Sequence, residues 1–222
     1  MRRLILPLVF GLIGTGILAS LGVWQLQRLH WKEAILAEID ARIAAAPVAL
    51  PADPALPRDR YLPVKVEGRF TGQDLPVLVS SKDWGAGVRI IAAFETAEGR
   101  RILIDRGFLP EDRRGEPRPE KPATVTGNLH WPDEVDSYTP APDGKTGLWF
   151  ARDIPAMAEK LATEPVLIVA RSETGDEIRA MPVDSGAIPN SHLGYAVQWF
   201  GLAAVWAGMT LIWLWRIRHP RP

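Results

Sequence analysis

The sequence predicts two membrane-spanning helices flanking an extramembrane α+β domain whose antiparallel sheet has about six strands. Three observations carry that fold class. Apolar runs over residues 4–27 and 195–215 occupy the two ends of the 222-residue chain. All 26 acidic residues lie between them. Inside that middle stretch, short runs of period two alternate with Gly, Pro and charged turn residues, as strands do. The predicted organisation is a first span with a short N-terminal tail over 1–27, an α+β domain over 28–194, and a second span with a basic tail over 195–222.

At 1.5 Å per residue the two runs reach about 36 and about 32 Å as helices, and each suffices for a hydrocarbon core of about 30 Å. Arg2 and Arg3 precede the first run and Leu18-Ala19-Ser20 within it is rich in small residues, which also fits a cleaved leader. Its apolar stretch exceeds the roughly 7 to 15 residues of a leader, so a retained anchor is expected. Arg2 and Arg3 before one span and Arg216, Arg218 and Arg221 after the other place both termini in the cytoplasm and the main domain across the membrane. Arg28 and Lys32 weaken that asymmetry from the far side. Gly11, Thr15 and Ala19 share one face of the first span, and Ala204 and Gly208 one face of the second, a pattern that lets helices approach closely.

Net charge is zero over the whole chain, yet without the five tail arginines the remainder carries −5. That acidic balance argues against nucleic acid as a partner. Cysteine is absent, so there is no disulfide framework, thiolate nucleophile or thiolate metal site. The fold must rest on its hydrophobic core, for which about 170 residues are enough.

Beyond the first span Leu29, Leu36, Ile39 and Ile43 keep a helical stripe, so an amphipathic helix is predicted to continue to about residue 46. Pro47, Pro51, Pro54 and Pro57 then impose an extended linker. From Tyr61 the period becomes two, with Val64 and Val66 alternating against Lys65 and Glu67. Further strands are predicted at 77–80, 88–94, 101–105, 124–129 and 165–170. Residues 97–100, carrying Gly99, form a hairpin turn, and the proline-rich stretch 109–122 is a loop. Asp153 caps a short helix over 154–162. Asp105 and Arg106 are expected to pair at a strand end, with Gly107 supplying a backbone angle open to few other residues.

No nucleophile elbow, metalloprotease helix or phosphate-cradling glycine loop is present, which disfavours an enzyme. The short tails leave no room for a signalling output domain. Four histidines remain. His30, His130 and His219 read as surface or interface residues. His192 stands immediately before the second apolar run, where an imidazole can ligate iron while a porphyrin lies against apolar side chains. On a helix His192, Ala196, Trp199 and Ala203 share a face. The alternative is that Asn190 or Ser191 caps the helix and His192 belongs to an interfacial belt with Tyr195 and Trp199.

Four blocks together resemble a known family: Leu21-Gly22-Val23-Trp24-Gln25-Leu26-Gln27-Arg28 with Trp31-Lys32; Tyr61-Leu62-Pro63-Val64-Lys65-Val66-Glu67-Gly68-Arg69-Phe70; Ile104-Asp105-Arg106-Gly107-Phe108-Leu109-Pro110; and Asn190-Ser191-His192-Leu193-Gly194-Tyr195-Ala196 with Trp199-Phe200. In that order they are similar to the Surfeit locus protein 1 family, also called Shy, and they span nearly the whole chain. The resemblance implies an assembly factor for haem-copper cytochrome c oxidase in the bacterial inner membrane, with its main domain in the periplasm. It implies binding of haem a, with His192 as the iron ligand, and insertion into the catalytic subunit. It maps the family's Trp-Gln pair onto Trp24 and Gln25, and it implies the oxidase catalytic subunit and haem A synthase as partners alongside membrane lipid. Arg28, by charge and depth, would meet a haem propionate, and Trp199 would supply flat apolar surface. The alternatives are a scaffold that stabilises the oxidase subunit without carrying haem and, from a different class, an envelope enzyme with a polar cleft in the sheet domain.

Overall fold

The computed structural model describes residues 2–186 and 188–219, without side chains for Arg2 and Arg3; Arg221 of the basic tail lies outside them. The chain forms two compact units, Met1–Glu38 with Ser185–Pro222, and Ile39–Asp184.

The first unit is a pair of antiparallel helices, α1 (Arg2–Ala44, whose last residues belong to the second unit) and α3 (His192–Arg218). Both are long and apolar enough to cross a membrane. Their inward side chains recur every three or four residues: Gly11, Gly14, Leu18, Gly22 and Gln25 on α1, and Ala196, Trp199, Ala203, Trp206 and Thr210 on α3. This is the spacing of a coiled-coil seam. A Cβ on Gly11, Gly14 or Gly22 would strike Thr210, Trp206 or Phe200 respectively, so notches in α1 receive the larger side chains of α3. The expected small-residue face on α3 is therefore corrected. Ala204 points outward and Gly208 has nothing within 4 Å, because only one helix of a pair needs to be small where the other is large. Outside the seam, Leu6, Leu12, Met209 and Leu211 are each at least 65% exposed, a surface that suits hydrocarbon rather than water.

The second unit is built on a six-stranded sheet, β1 (Val48–Ala49), β2 (Pro63–Ser81), β3 (Gly85–Thr96), β4 (Arg101–Pro110), β5 (Lys121–Leu129) and β6 (Leu167–Ala170), in the order β1-β2-β3-β4-β6-β5. It closes on itself because β5 bonds both β6 and the first half of β2. The sheet is mixed, which corrects the antiparallel expectation: β1 runs parallel to β2 and β6 parallel to β4. The hairpins β2–β3 and β3–β4 are antiparallel, as tight turns require. The return from β5 to β6 passes through α2 (Ile154–Leu161), and a crossover of that length can deliver a strand parallel to its neighbour.

Two further differences follow from local chemistry. The strands expected at 61–70 and 77–80 are one strand, β2, with a register shift between Phe70 and Asp74. Gly72, at φ +75°, lies within that shift and absorbs the kink. Strand β4 continues to Pro110, past the expected end at 105, before a 3-10 turn at Glu111–Arg113.

Burial on both faces of the central strands follows the period of two. Ala92, Phe94, Ile102, Ile104, Ile168 and Ala170 enter the core within the closed sheet. Their neighbours Ile91, Ala93, Leu103, Leu167 and Val169 pack beneath α2, against Met157, Ala158 and Leu161. That helix forms where expected. The Asp153 carboxylate accepts from the Ala156 N–H at 3.2 Å, Pro155 stands in the first turn, and Ala162 in the left-handed conformation ends it.

Asp105 and Arg106 lie inside β4 and do not pair with each other, because consecutive strand residues face opposite ways. Asp105, fully buried, accepts from Arg89 Nε at 3.0 Å, Arg152 Nη1 at 3.0 Å and the Gly107 N–H at 3.1 Å. Arg106 stacks its guanidinium 4.4 Å from the Phe70 ring centroid and donates to Asp176 Oδ2 at 2.6 Å and Thr174 Oγ1 at 2.8 Å. Gly107 adopts φ +110° as expected, but inside a strand rather than at a turn. There the main chain of Arg179 and Ala180 passes directly over it.

Candidate functional site

Within the helix pair, the end of the seam opposite the chain termini joins two polar side chains in an otherwise apolar interface. Gln25 is buried on α1, and His192 is the first residue of α3. Because the helices are antiparallel and Gly22 already receives Phe200, the next inward position of α1 meets the start of α3. His192 Nδ1 lies 2.8 Å from Gln25 Oε1. An amide oxygen only accepts, so a neutral imidazole in this contact donates from Nδ1 and keeps its lone pair on Nε2. A fixed tautomer with a free Nε2 is what a metal-binding imidazole needs from its hydrogen-bonding partner.

The capping alternative fares differently. Ser191 occupies the N-cap position of α3 but makes no side-chain cap hydrogen bond. Among the described residues Asn190 Oδ1 is buried without a hydrogen-bond partner, an acceptor that costs free energy until a donor reaches it.

The remaining residues singled out from sequence are less convergent. Trp24 is half exposed beside Gln25. Arg28 places its guanidinium 4.4 Å from the centroid of the Trp31 ring, a cation–π contact one turn further along α1. Trp199 is half buried on the inward side of α3. Ala196 and Ala203, expected on the same face as His192, are the buried residues of α3 and belong to the seam.

Of the other histidines, His30 is exposed, with Glu33 at 3.5 Å, and His219 makes a tilted ring contact with Trp215, centroids 5.5 Å apart. His130 is not the surface residue expected. It is half buried, stacks on Tyr61 with centroids 5.9 Å apart, and has a buried Nδ1 without a partner among the described residues. Burial, reinforced by the charges of Arg152 and Arg60, pushes its pKa down to about 4. Sequence reading also missed the network in which Asp105 bridges Arg89 and Arg152 while Arg152 pairs with Glu134. Its one sequence signal is a charged pair inside the apolar run of β4. Among the described residues no group of three His, Asp or Glu side chains could hold a metal ion.

A sequence model of the SURF1 family matches residues 12–204. Surfeit locus protein 1 of Homo sapiens is 31% identical over 212 residues, covering 83% of this chain and 70% of its own. A SURF1-like protein of Rickettsia felis is 30% identical over 208 residues, covering 86% of this chain and 89% of its own. Surfeit locus protein 1 of Rattus norvegicus is 29% identical over 211 residues, covering 83% and 68%.

Proposed function

The chain belongs to the SURF1 family, and from that premise we propose that it assists assembly of haem-copper cytochrome c oxidase, holding haem a as cargo for insertion into the catalytic subunit. The observation that carries this reading is the Gln25–His192 contact of 2.8 Å. It orients the imidazole and presents Nε2 as the iron ligand. Leu193 and Tyr195 beside His192, and Trp24 beside Gln25, are each about half exposed and supply apolar surface against which a porphyrin can lean. The unpartnered Asn190 Oδ1 adds an acceptor for a donor on the bound group. With the seam closed by Ala196 and Ala203, the cargo sits at the head of the helix pair, not between the helices. One protein ligand and partial exposure suit a carrier that must release what it holds, so the role is non-catalytic. The sheet unit docks on the assembling oxidase, and haem A synthase is the donor.

In this reading the helix pair spans the bacterial inner membrane, with both termini cytoplasmic and the sheet unit periplasmic, following the arginines at the ends of both spans. A reporter active only in the periplasm is inactive when fused after residue 222 and active when inserted within residues 113–119. The reverse pattern overturns the orientation.

One observation favours the scaffold alternative: Arg28 already stacks on Trp31 and is not held ready for a propionate. The absorption spectrum of protein purified from cells that make haem a separates the two readings. The parent carries a haem band, His192→Ala loses or shifts it at unchanged abundance, and Gln25→Leu weakens it by releasing the tautomer. An identical band in His192→Ala removes His192 as a ligand and leaves the scaffold.

A further inference from the structure

At the end of the helix pair that bears the chain termini, the seam opens into a groove that no seam residue fills. One cavity of about 330 Å³ is lined by leucines of both helices together with Trp215, Arg218 and His219. A second, of about 170 Å³, shares Leu8, Leu211 and Leu214 and continues inward to Thr15 and Ala207. The lining therefore runs from Arg218 and His219 at the chain end to a largely apolar floor. Leu4 to Thr15 rises about 16 Å along α1, close to half of a hydrocarbon core of about 30 Å. A groove of that length accommodates one acyl chain of one leaflet. Leu8 and Leu211 are substantially exposed along it, so it is open sideways to lipid.

We propose that this groove is a binding site for a single anionic phospholipid, with one acyl chain along Leu8, Leu211 and Leu214 and the phosphate between Arg218 and His219. The charge sequence selects the occupant. A neighbouring transmembrane helix would present apolar side chains to the whole groove, the Arg218 guanidinium included, whereas an anionic lipid meets both the apolar part and the charged end, where His219 keeps Nε2 available while its Nδ1 lies 3.2 Å from the Trp215 carbonyl oxygen. Trp215, half exposed and in tilted ring contact with His219, stands at the depth where aromatic side chains meet headgroups. Arg216 carries the same charge two residues away but does not line the groove, which gives an internal control. The site lies at the opposite end of the seam from Gln25 and His192 and is independent of the haem reading.

The test is native mass spectrometry of the full chain released from nanodiscs of equimolar phosphatidylglycerol and phosphatidylcholine. The parent retains one phosphatidylglycerol per chain in preference to phosphatidylcholine. Arg218→Gln lowers that preference about fivefold, the effect of one basic side chain at a lipid headgroup, and Arg216→Gln leaves it unchanged. Ala207→Phe, which fills the floor, reduces retention of both lipids. Equal retention of the two lipids, or an Arg216→Gln effect as large as that of Arg218→Gln, reduces the preference to general surface electrostatics and overturns the site. Failure of the parent to retain lipid, with chain-to-chain crosslinking through a cysteine placed at Leu211, assigns the groove to a second copy.

Discussion

Gly107→Ala tests whether the segment after β6 is locked to the sheet by a single missing side chain. At φ +110° an L-residue costs about 1 kcal/mol relative to glycine. The new Cβ would also run into the Arg179 carbonyl, with Ala180 Cα at 2.9 Å. Relief requires that segment to lift, and lifting breaks the two bonds that hold it: Phe108 N–H to Arg179 O at 2.8 Å and Arg179 N–H to Phe108 O at 2.9 Å. At about 1 kcal/mol each, these bring the expected loss to about 3 kcal/mol. Gly99→Ala is the matched control, since Gly99 has φ +83° in an open hairpin turn with nothing within 4 Å, and it should cost only about 1 kcal/mol. The assay is urea unfolding of both variants in detergent by pulse proteolysis, paired with hydrogen exchange at the Phe108 and Arg179 amides. Gly107→Ala should expose both amides and Gly99→Ala neither. Equal costs for the two substitutions, with both amides still protected, would refute the docking of residues 178–180 on β4.

Two further outcomes are expected. His130 titrates near pH 4 in the folded chain and near its ordinary 6.5 when unfolded, so its contribution is intact above pH 6.5 and is lost as pH falls towards 4. Allowing for partial exposure, that loss is about 1.5 kcal/mol. It should be absent in His130→Phe, which keeps the ring on Tyr61, and parallel pH profiles for parent and variant would show that His130 does not report burial. In the helix pair, Gly14→Val collides with Trp206, with its Cβ 2.5 Å from Cε2, whereas Gly16→Val meets nothing. With cysteines placed at Leu8 and Leu211 in this cysteine-free chain, Gly14→Val should abolish the intramolecular crosslink and Gly16→Val should preserve it. Loss in both, or in neither, would mean that the seam does not run through Gly14.

The sequence by itself determined what depends on neighbours along the chain. Twenty or more consecutive apolar residues can only satisfy their backbone as helices in hydrocarbon, so both long helices were legible. So were the Asp153 cap with Pro155 behind it, the Gly99 hairpin, and the alternation that splits the sheet's core between its two faces. The polar pair at the head of the seam was legible in part. Gln25 and His192 were both named, but only pairing of the helices shows that one side chain fixes the tautomer of the other across 167 positions. Tertiary structure alone decided three things. It placed β6 between β4 and β5, parallel to one and antiparallel to the other, because a crossover through α2 leaves its direction open until the strand finds a partner. It sent Asp105 and Arg106 to different partners, because each pairs with residues far away in sequence. It also turned Ala203 rather than Ala204 inward, because an apolar helix has no polar face to set its rotation, and only the fit of Phe200, Trp206 and Thr210 into Gly22, Gly14 and Gly11 does so.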